Sequence, residues 1–522
     1  MKKLTSLSFA AVTALLTATA LFPPTAAYSQ TPIPLYQHLP PSADHIYSIK
    51  LGQIIMKGQL TELLNNMPPS KDPHAAMAFD ILKDPASAGI DLSHETLIAR
   101  TTATGTGADT VSYTQVLIPL TDTAKLRTTL TGAMPDLHIH RIPGKGNTAF
   151  QKKMGMAWND RLLVITSASA SLPKLSVEKS LAALTGFSGT PWLTDQRFVT
   201  GFSTDEDIHA WSQKMDFMNM MSRFIKKMAA KNPALKGHSL PDYSKMSQIP
   251  HPPVLSTFDF EDGRIIFRMT TYNKPEDAAM LRKAYDRPID KDLLARVPAG
   301  LLLGCAAIHI NPAAFPDMLD KYHSRKMIDS MLGKHGLTIN DITSVFGGDF
   351  LVAALGDTTA VTDTTKKKVG FYIVASLGDP SKLMQLAAKL TANGAATDTA
   401  KAAKMKKLAE NMVIRDNLLV ISNSKEAALK YFEPHAPRST NLLDADNSIQ
   451  AVAIDLKAVS AFITATQSNN PKSLVFARIL EKLDKLEVNT SLPGDNNTVA
   501  TIQIVTGDPS TNSLKTLVGL MH

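Results

Sequence analysis

The sequence has a single cysteine, Cys305, among 522 residues. That excludes an intramolecular disulfide framework and any multi-cysteine metal site. Aromatic residues are few, at 6%. None interleaves with the basic clusters Lys226-Lys227 with Lys231, Lys366-Lys367-Lys368 or Lys401, Lys404, Lys406 and Lys407, so base stacking is not indicated and no nucleic-acid partner is expected. Those lysines read as solvated surface, with attraction for an anionic polymer as the functional alternative. Proline and glycine are too sparse and aperiodic for a disordered or collagen-like chain. Beyond the N-terminus no apolar run is long enough to span a bilayer, which needs ~20 residues. The strongest run, Gly300–Ile310, reads as a buried strand holding Cys305 as a small core residue.

Catalytic signatures are also missing. There is no Walker-type phosphate loop, no Gly-x-Ser-x-Gly elbow and no Lys-Thr-Gly. Without the last, the Ser-x-x-Lys matches at Ser171–Lys174 and Ser422–Lys425 do not support a serine acyl-enzyme. Ser422 and Ser424 read instead as a strand end and a helix cap. Gly144-Lys145-Gly146-Asn147-Thr148-Ala149 formally fits a dinucleotide fingerprint, but its flanks predict a loop rather than a strand-to-helix turn. Asp136, His138 and His140 alternate as metal ligands on one strand face would, yet the spacing fits a solvated hairpin better. The carboxylates Asp205, Glu206 and Asp207 read as the start of a helix, with Ser203 and Glu206 as a capping box. No cofactor or metal is implied.

What is present begins with a targeting segment. Lys2 and Lys3 precede an apolar Leu7–Phe22 stretch, Pro23-Pro24 stops it, and Ala27-Tyr28-Ser29 places small residues before Gln30. That is a secretory signal peptide over residues 1–29, giving a periplasmic or secreted protein cut near Ser29.

The remainder reads as a tandem duplication. Asp160–Thr166 returns as Asp416–Ser422, Leu120–Leu126 as Leu377–Leu383, Glu95–Ala99 as Asp349–Ala353, and Pro41 as Pro298, each about 255 residues on. Tyr272–Pro275 matches Thr506–Pro509 near the ends. The order of the matches predicts an α+β fold: two homologous tandem domains, 30–286 and 287–522, with largely antiparallel sheets and interspersed amphipathic helices. Asp122 and Asp379 are placed to cap helices, and Asn423 to cap another.

Together the signal segment, the Leu39-Pro40-Pro41-Ser42-Ala43 opening, the Gly52–Gly58 helix start, the Gly347-Gly348-Asp349 turn and the Asp-x-Leu-Leu-Val-Ile strands resemble a family of exported bacterial proteins typical of the Bacteroides phylum. That family is known only as a domain of unknown function and often as lipoproteins. The resemblance implies an envelope location and transfers no catalytic residue; this chain lacks the lipoprotein cysteine.

The functional expectation is therefore a non-catalytic binding or scaffolding protein of the envelope, with a secreted hydrolase as the alternative. Its partner would be an envelope protein, a peptide or an anionic polymer. One feature has no counterpart in the second repeat. From Glu206 to Met228, Ile208, Trp211, Met215, Met218, Met221, Ile225 and Met228 recur at three and four, predicting one helix with an apolar stripe. A long aperiodic stretch to Pro253 follows. Trp211, Met215, Met218, Met221 and Ile225 are the candidate partner-binding residues, since methionine adapts to varied surfaces; core packing is the competing reading.

Overall fold

The computed structural model describes residues 35–66, 81, 83–102, 111–151, 154–169, 172–213, 252–321, 324–333, 336–356, 369–394, 409–434, 447–467 and 470–520. These residues mix helices with an extensive antiparallel sheet, an α+β fold. They divide into two compact units. The first takes the described residues of 1–215 with Pro253–Phe267 and those of 509–522; the second takes Pro252 and the described residues of 268–508. A cut at Asp286 does not reproduce this division, because residues after Pro509 pack on the first unit. There the helix Ser513–Gly519 meets the helix that follows the first strand, and the Asn512 amide donates to the Phe260 carbonyl at 2.8 Å.

The strands in chain order are β1 His45–Ile49, β2 Thr96–Thr101, β3 Tyr113–Pro119, β4 Ile139–Ile142, β5 Gly146–Gln151, β6 Met154–Trp158, β7 Leu162–Ala168, β8 Ile208–Ser212, β9 Val254–Glu261 and β10 Arg264–Tyr272. They continue with β11 Leu301–His309, β12 Phe346–Gly356, β13 Val369–Leu377, β14 Met412–Arg415, β15 Leu418–Ser422, β16 Ser448–Asp455, β17 Leu483–Ser491 and β18 Asn497–Thr506.

In the first unit β1 is central. It pairs with β2 on one side and β8 on the other. Beyond β2 lie β3, β7, β6, β5 and β4; beyond β8 lies β9. Strand β3 is buried on both faces along most of its length, as its run of Val116, Leu117 and Ile118 demands. Glu261-Asp262-Gly263 turns β9 into β10, with Gly263 at φ 72, where a side chain would be strained.

Among the described residues, helices beside this sheet include α1 Leu51–Gly58, α2 Thr123–Ala133, α3 Pro173–Thr185 and α4 Gln196–Phe202. Asp122 caps α2, accepting from the Ala124 and Lys125 amides. Pro173 opens α3 at the position where a missing N–H costs nothing. Helix α3 lies directly on β6 because Gly155 has no side chain: a Cβ there would stand 2.2 Å from the Val177 nitrogen. A buried polar ladder fixes the contact, with Ser180 Oγ donating to Gly155 O at 2.9 Å and Gln115 Nε2 to Lys179 O at 2.9 Å. The sequence Gly144-Lys145-Gly146 forms the turn between β4 and β5, with both glycines at positive φ. This is the loop the flanks predict.

In the second unit β11 is central. It pairs with β12 and β16; β13, β15 and β14 extend one side, β17 and β18 the other. Strand β11 is the Gly300–Ile310 run, and Cys305 is buried within it at 5% exposure. Ser424, one residue after Asn423, caps the helix Lys425–Lys430, accepting from the Ala427 amide. Asn423 instead accepts from the Phe371 amide at 2.8 Å, so its side chain is committed to strand β13.

The predicted helix from Glu206 is corrected. Ser203 ends α4 instead of starting a helix, and Asp205-Glu206-Asp207 leads into β8. Strand β8 alternates, with His209 and Trp211 buried and Ile208, Ala210 and Ser212 partly exposed. Ile208 and Trp211, three residues apart, therefore fall on opposite faces of a strand, not along one helical stripe.

Candidate functional site

A concavity opens in the first unit, where β1 ends. Four separate segments build it. Tyr36 comes from the short turn Leu35–His38, and Lys50 and Gln53 from the junction of β1 with α1. Leu92, Ser93, His94 and Glu95 come from the approach to β2, and Phe202, Ser203 and Thr204 from the end of α4. Together they enclose a pocket of about 350 Å³.

Its floor is a hydrogen-bonded trio. Ser48 Oγ donates to Glu95 Oε2, and the Tyr36 hydroxyl bonds to both Glu95 and Ser48. Burial pushes the Tyr36 phenol well above its usual pKa, and the Glu95 charge adds to that. Ser48 has no exposed surface. The rim is made of paired polar side chains. Lys50 Nζ lies 2.9 Å from Asp205 Oδ1 and donates to Thr204 O at 2.9 Å. His94 Nδ1 is 2.9 Å from Asp91 Oδ2, and Ser93 Oγ donates to Asp91 Oδ1 at 2.6 Å.

Behind Thr204 stands His209, fully buried on β8 opposite Ser48 of β1. Its Nε2 is 2.9 Å from Thr204 Oγ1 and 3.4 Å from Glu206 Oε2. The carboxylate beside Nε2 assigns the proton to that nitrogen. Among the described residues Nδ1 has no hydrogen-bond partner. Burial lowers the His209 pKa, with the neighbouring Glu206 opposing it.

Below, α1 is tied to the sheet. Lys57 Nζ lies 2.8 Å from Asp207 Oδ2 and 2.7 Å from Asp259 Oδ1. The Phe260 amide also donates to Asp207 Oδ2 at 2.8 Å. Burial pushes Asp207 up to about 6, against the pull of Lys57, while its hydrogen bond with Asp259 adds to the rise. Burial also penalises Asp259, but its hydrogen bonds with Lys57 and Asp207, the Lys57 charge and the Phe260 amide together outweigh this and lower its pKa.

The second unit has its own polar constellation, at the end of β11. His309 is buried, with Nδ1 2.9 Å from Asp349 Oδ1 and Nε2 2.8 Å from Asp286 Oδ1. Arg287 Nη2 reaches Asp349 Oδ2 at 2.5 Å, and the Asn311 amide donates to Asp286 Oδ2 at 2.8 Å. Every polar atom of the histidine ring is engaged, which makes this a staple more than a vacant site.

Trp211 does not belong to the pocket. It is buried at 1% exposure, edge-on to Phe198 with ring centroids 5.7 Å apart and with the Arg197 guanidinium 5.9 Å from its ring centre. As a partner-binding residue it is therefore corrected to core. Met215, Met218, Met221 and Ile225 lie outside the described residues. Asp136, His138 and His140 are all exposed, on and before the hairpin strand β4. No group of three or more metal-ligating side chains occurs among the described residues.

Tyr36, Ser48, Glu95 and His209 escape a reading of the sequence because they come from four segments with no common spacing. The one local signal is that Asp207, His209 and Asp259 interrupt short β-rich runs at alternating, inward positions.

No family model matches this sequence, and no curated protein does. Two solved structures, crystal forms I and III of TP0453, are similar to it at 8% and 7% identity. Each comparison covers 50% of this chain and 89% of that one, with TM-scores of 0.28 and 0.29. Similarity this low carries no argument about fold or function. No helix among the described residues is long and apolar enough to cross a membrane.

Proposed function

We propose that this chain is an exported, non-catalytic binding protein of the bacterial envelope, and that its first unit holds a small polar ligand in the Tyr36–Glu95 pocket. The observation that carries this reading is the pairing pattern around the cavity. Its ionisable side chains satisfy one another and leave about 350 Å³ of space between them. Ser48, whose hydroxyl touches Glu95, has no surface from which to attack a substrate, and the exposed Ser93 hydroxyl is engaged in donating to Asp91 at 2.6 Å. A nucleophile must be both activated and reachable, so the arrangement favours recognition over acyl transfer.

Export is supported by the Lys2–Ser29 layout and by the resemblance to exported proteins of unknown function. A tandem duplication is supported by strand order: β6-β7-β3-β2-β1-β8-β9 in one unit has the order of β14-β15-β13-β12-β11-β16-β17 in the other. On that alignment Glu95 directly precedes β2, and Asp349 is the fourth residue of β12. The two copies would thus keep a carboxylate at one place and surround it differently.

Native mass spectrometry of the protein purified from its own host tests the binding reading. A small molecule should co-purify with the full chain and be lost from Glu95→Gln. A ligand-free protein that also fails to bind any member of a metabolite panel in thermal-shift assays would refute it.

A further inference from the structure

The side chains lining the Tyr36–Glu95 pocket give their protons to the protein itself. Ser93 Oγ donates to Asp91 Oδ1 at 2.6 Å, Ser203 Oγ to the Thr200 carbonyl at 2.8 Å and Thr204 Oγ1 to the Gly201 carbonyl at 3.1 Å. A hydroxyl has one proton to give, so each of these three exposed residues offers an incoming molecule only lone pairs. The Tyr36 hydroxyl is spent on Glu95. Lys50 directs two of its three N–H groups at Asp205 and the Thr204 carbonyl. The Gln53 amide nitrogen donates to the Asp205 carbonyl at 3.4 Å, which leaves its oxygen to accept. His94 adds another acceptor. Its Nδ1 lies 2.9 Å from Asp91 Oδ2, and a carboxylate there assigns the proton to Nδ1 and a lone pair to Nε2. Charge is balanced as well. One lysine and one carboxylate, Glu95, line the cavity, and each is already bonded within the protein.

We propose that the ligand is a small neutral polyhydroxylated molecule, of the sugar or polyol class; this assignment rests on the binding reading of the pocket. Its hydroxyl protons go to His94 Nε2, the Gln53 oxygen and the hydroxyl oxygens of Ser93 and Ser203. Those acceptors come from three separate segments around about 350 Å³, so one ligand must carry several hydroxyls to meet them. Its own oxygens accept the third N–H of Lys50, and its C–H face lies against Leu92. An anion needs several converging donors, and the lining side chains have given theirs away. A cation would have to draw Glu95 away from Ser48 and Tyr36. A purely apolar molecule would cover these lone pairs and leave them unpaired.

The test is isothermal titration calorimetry of the full chain with glucose, galactose, myo-inositol and glycerol, against acetate, inorganic phosphate and butylamine. A polyol should bind, with an affinity that does not change between about 0.05 and 0.5 M salt, since the ligand carries no charge to be screened. His94→Leu should weaken binding about tenfold, as the loss of one hydrogen bond does. His94→Gln keeps an acceptor and should restore most of the affinity. Gln53→Leu, which removes a different acceptor, provides a second reading if His94→Leu folds poorly. Polyol binding that is unchanged in both leucine variants overturns the proposal. Binding of acetate, phosphate or butylamine in place of the polyols, or a charged molecule co-purifying with the chain, overturns it too, while leaving the ligand-binding reading intact. If no probe binds and nothing co-purifies, both readings fail.

Discussion

The Lys57 ammonium lies 2.8 Å from Asp207, a carboxylate whose side chain has no exposed surface. The pair joins the helix leaving β1 to the strand beside it. The second carboxylate, Asp259, sits 2.7 Å from the same ammonium. Two acids thus share one base inside the first unit, and one of them must bear the cost of burial.

Asp207 bears it, and its titration is the first prediction. Its folded pKa, about 6, lies above the usual carboxylate range. A raised acid favours folding only when protonated. Its contribution is therefore fully present below about pH 4 and lost as pH rises through about 6. Carbon-detected NMR should find the Asp207 midpoint near 6. In Asp259→Asn that midpoint should fall, because the shared proton between the acids is gone. A midpoint unmoved by the substitution would contradict the coupling.

His309 should behave with the opposite composition but the same sign. Burial disfavours its charge, yet hydrogen bonds to Asp349 and Asp286 outweigh this and raise its pKa. The staple's histidine contribution is complete below its ordinary value near 6.5 and lost as pH rises through the higher folded value. Asp349 is also penalised by burial, but His309 and Arg287 hold it below its usual range, so its own contribution is lost toward acid. His309→Gln should cost about 2–3 kcal/mol at pH 5.5 by urea denaturation, since it leaves buried carboxylate oxygens underpaired. The cost should shrink by pH 8.5. A pH-independent difference would show that the pairing carries no charge.

Gly155 allows a cleaner test of packing. A Cβ there would stand 2.2 Å from one α3 backbone atom and 2.3 Å from another. Backbone cannot swing aside as a side chain does, so Gly155→Ala should destabilise the first unit by about 2–3 kcal/mol. At Gly132, on exposed α2, a methyl group would meet nothing within 4 Å. Gly132→Ala should therefore be neutral or stabilising by about 0.5 kcal/mol. Equal effects at the two positions, measured by thermal unfolding, would mean that α3 does not rest on β6 as described.

Much of the scaffold was readable in the residues. The Asp160–Thr166 and Asp416–Ser422 matches fall on β7 and β15, the Gly300–Ile310 run is β11, and Asp122 caps its helix. These features depend on neighbours close in sequence: alternation, a run of β-branched side chains, a carboxylate one step before a turn. The β8 segment misled because Ile208 and Trp211 share a spacing of three with the methionines that follow. Only pairing with β1 and β9 decides that they form a strand. The pocket was illegible for a related reason. Tyr36, Ser48, Glu95 and Thr204 become neighbours only through the sheet, and none of them carries a spacing that announces a site.

The last prediction concerns the N-terminus, and it follows from sequence chemistry alone. Lys2 and Lys3 supply the positive start, Leu7–Phe22 the apolar segment, and Ala27 and Ser29 the small residues that a signal peptidase pocket accepts. The apolar segment is shorter than the ~20 residues a membrane span needs, and two prolines end it. Cleavage rather than retention is therefore expected, with Gln30 as the first mature residue. Intact mass spectrometry of protein recovered from the periplasm or culture medium should give the mass of the chain from Gln30. Replacing Ala27 and Ser29 with bulky residues (Ala27→Phe with Ser29→Leu) should block processing and leave the precursor in the membrane fraction. A cytoplasmic protein that keeps Met1 or loses only that residue would overturn the export reading, and with it the envelope location.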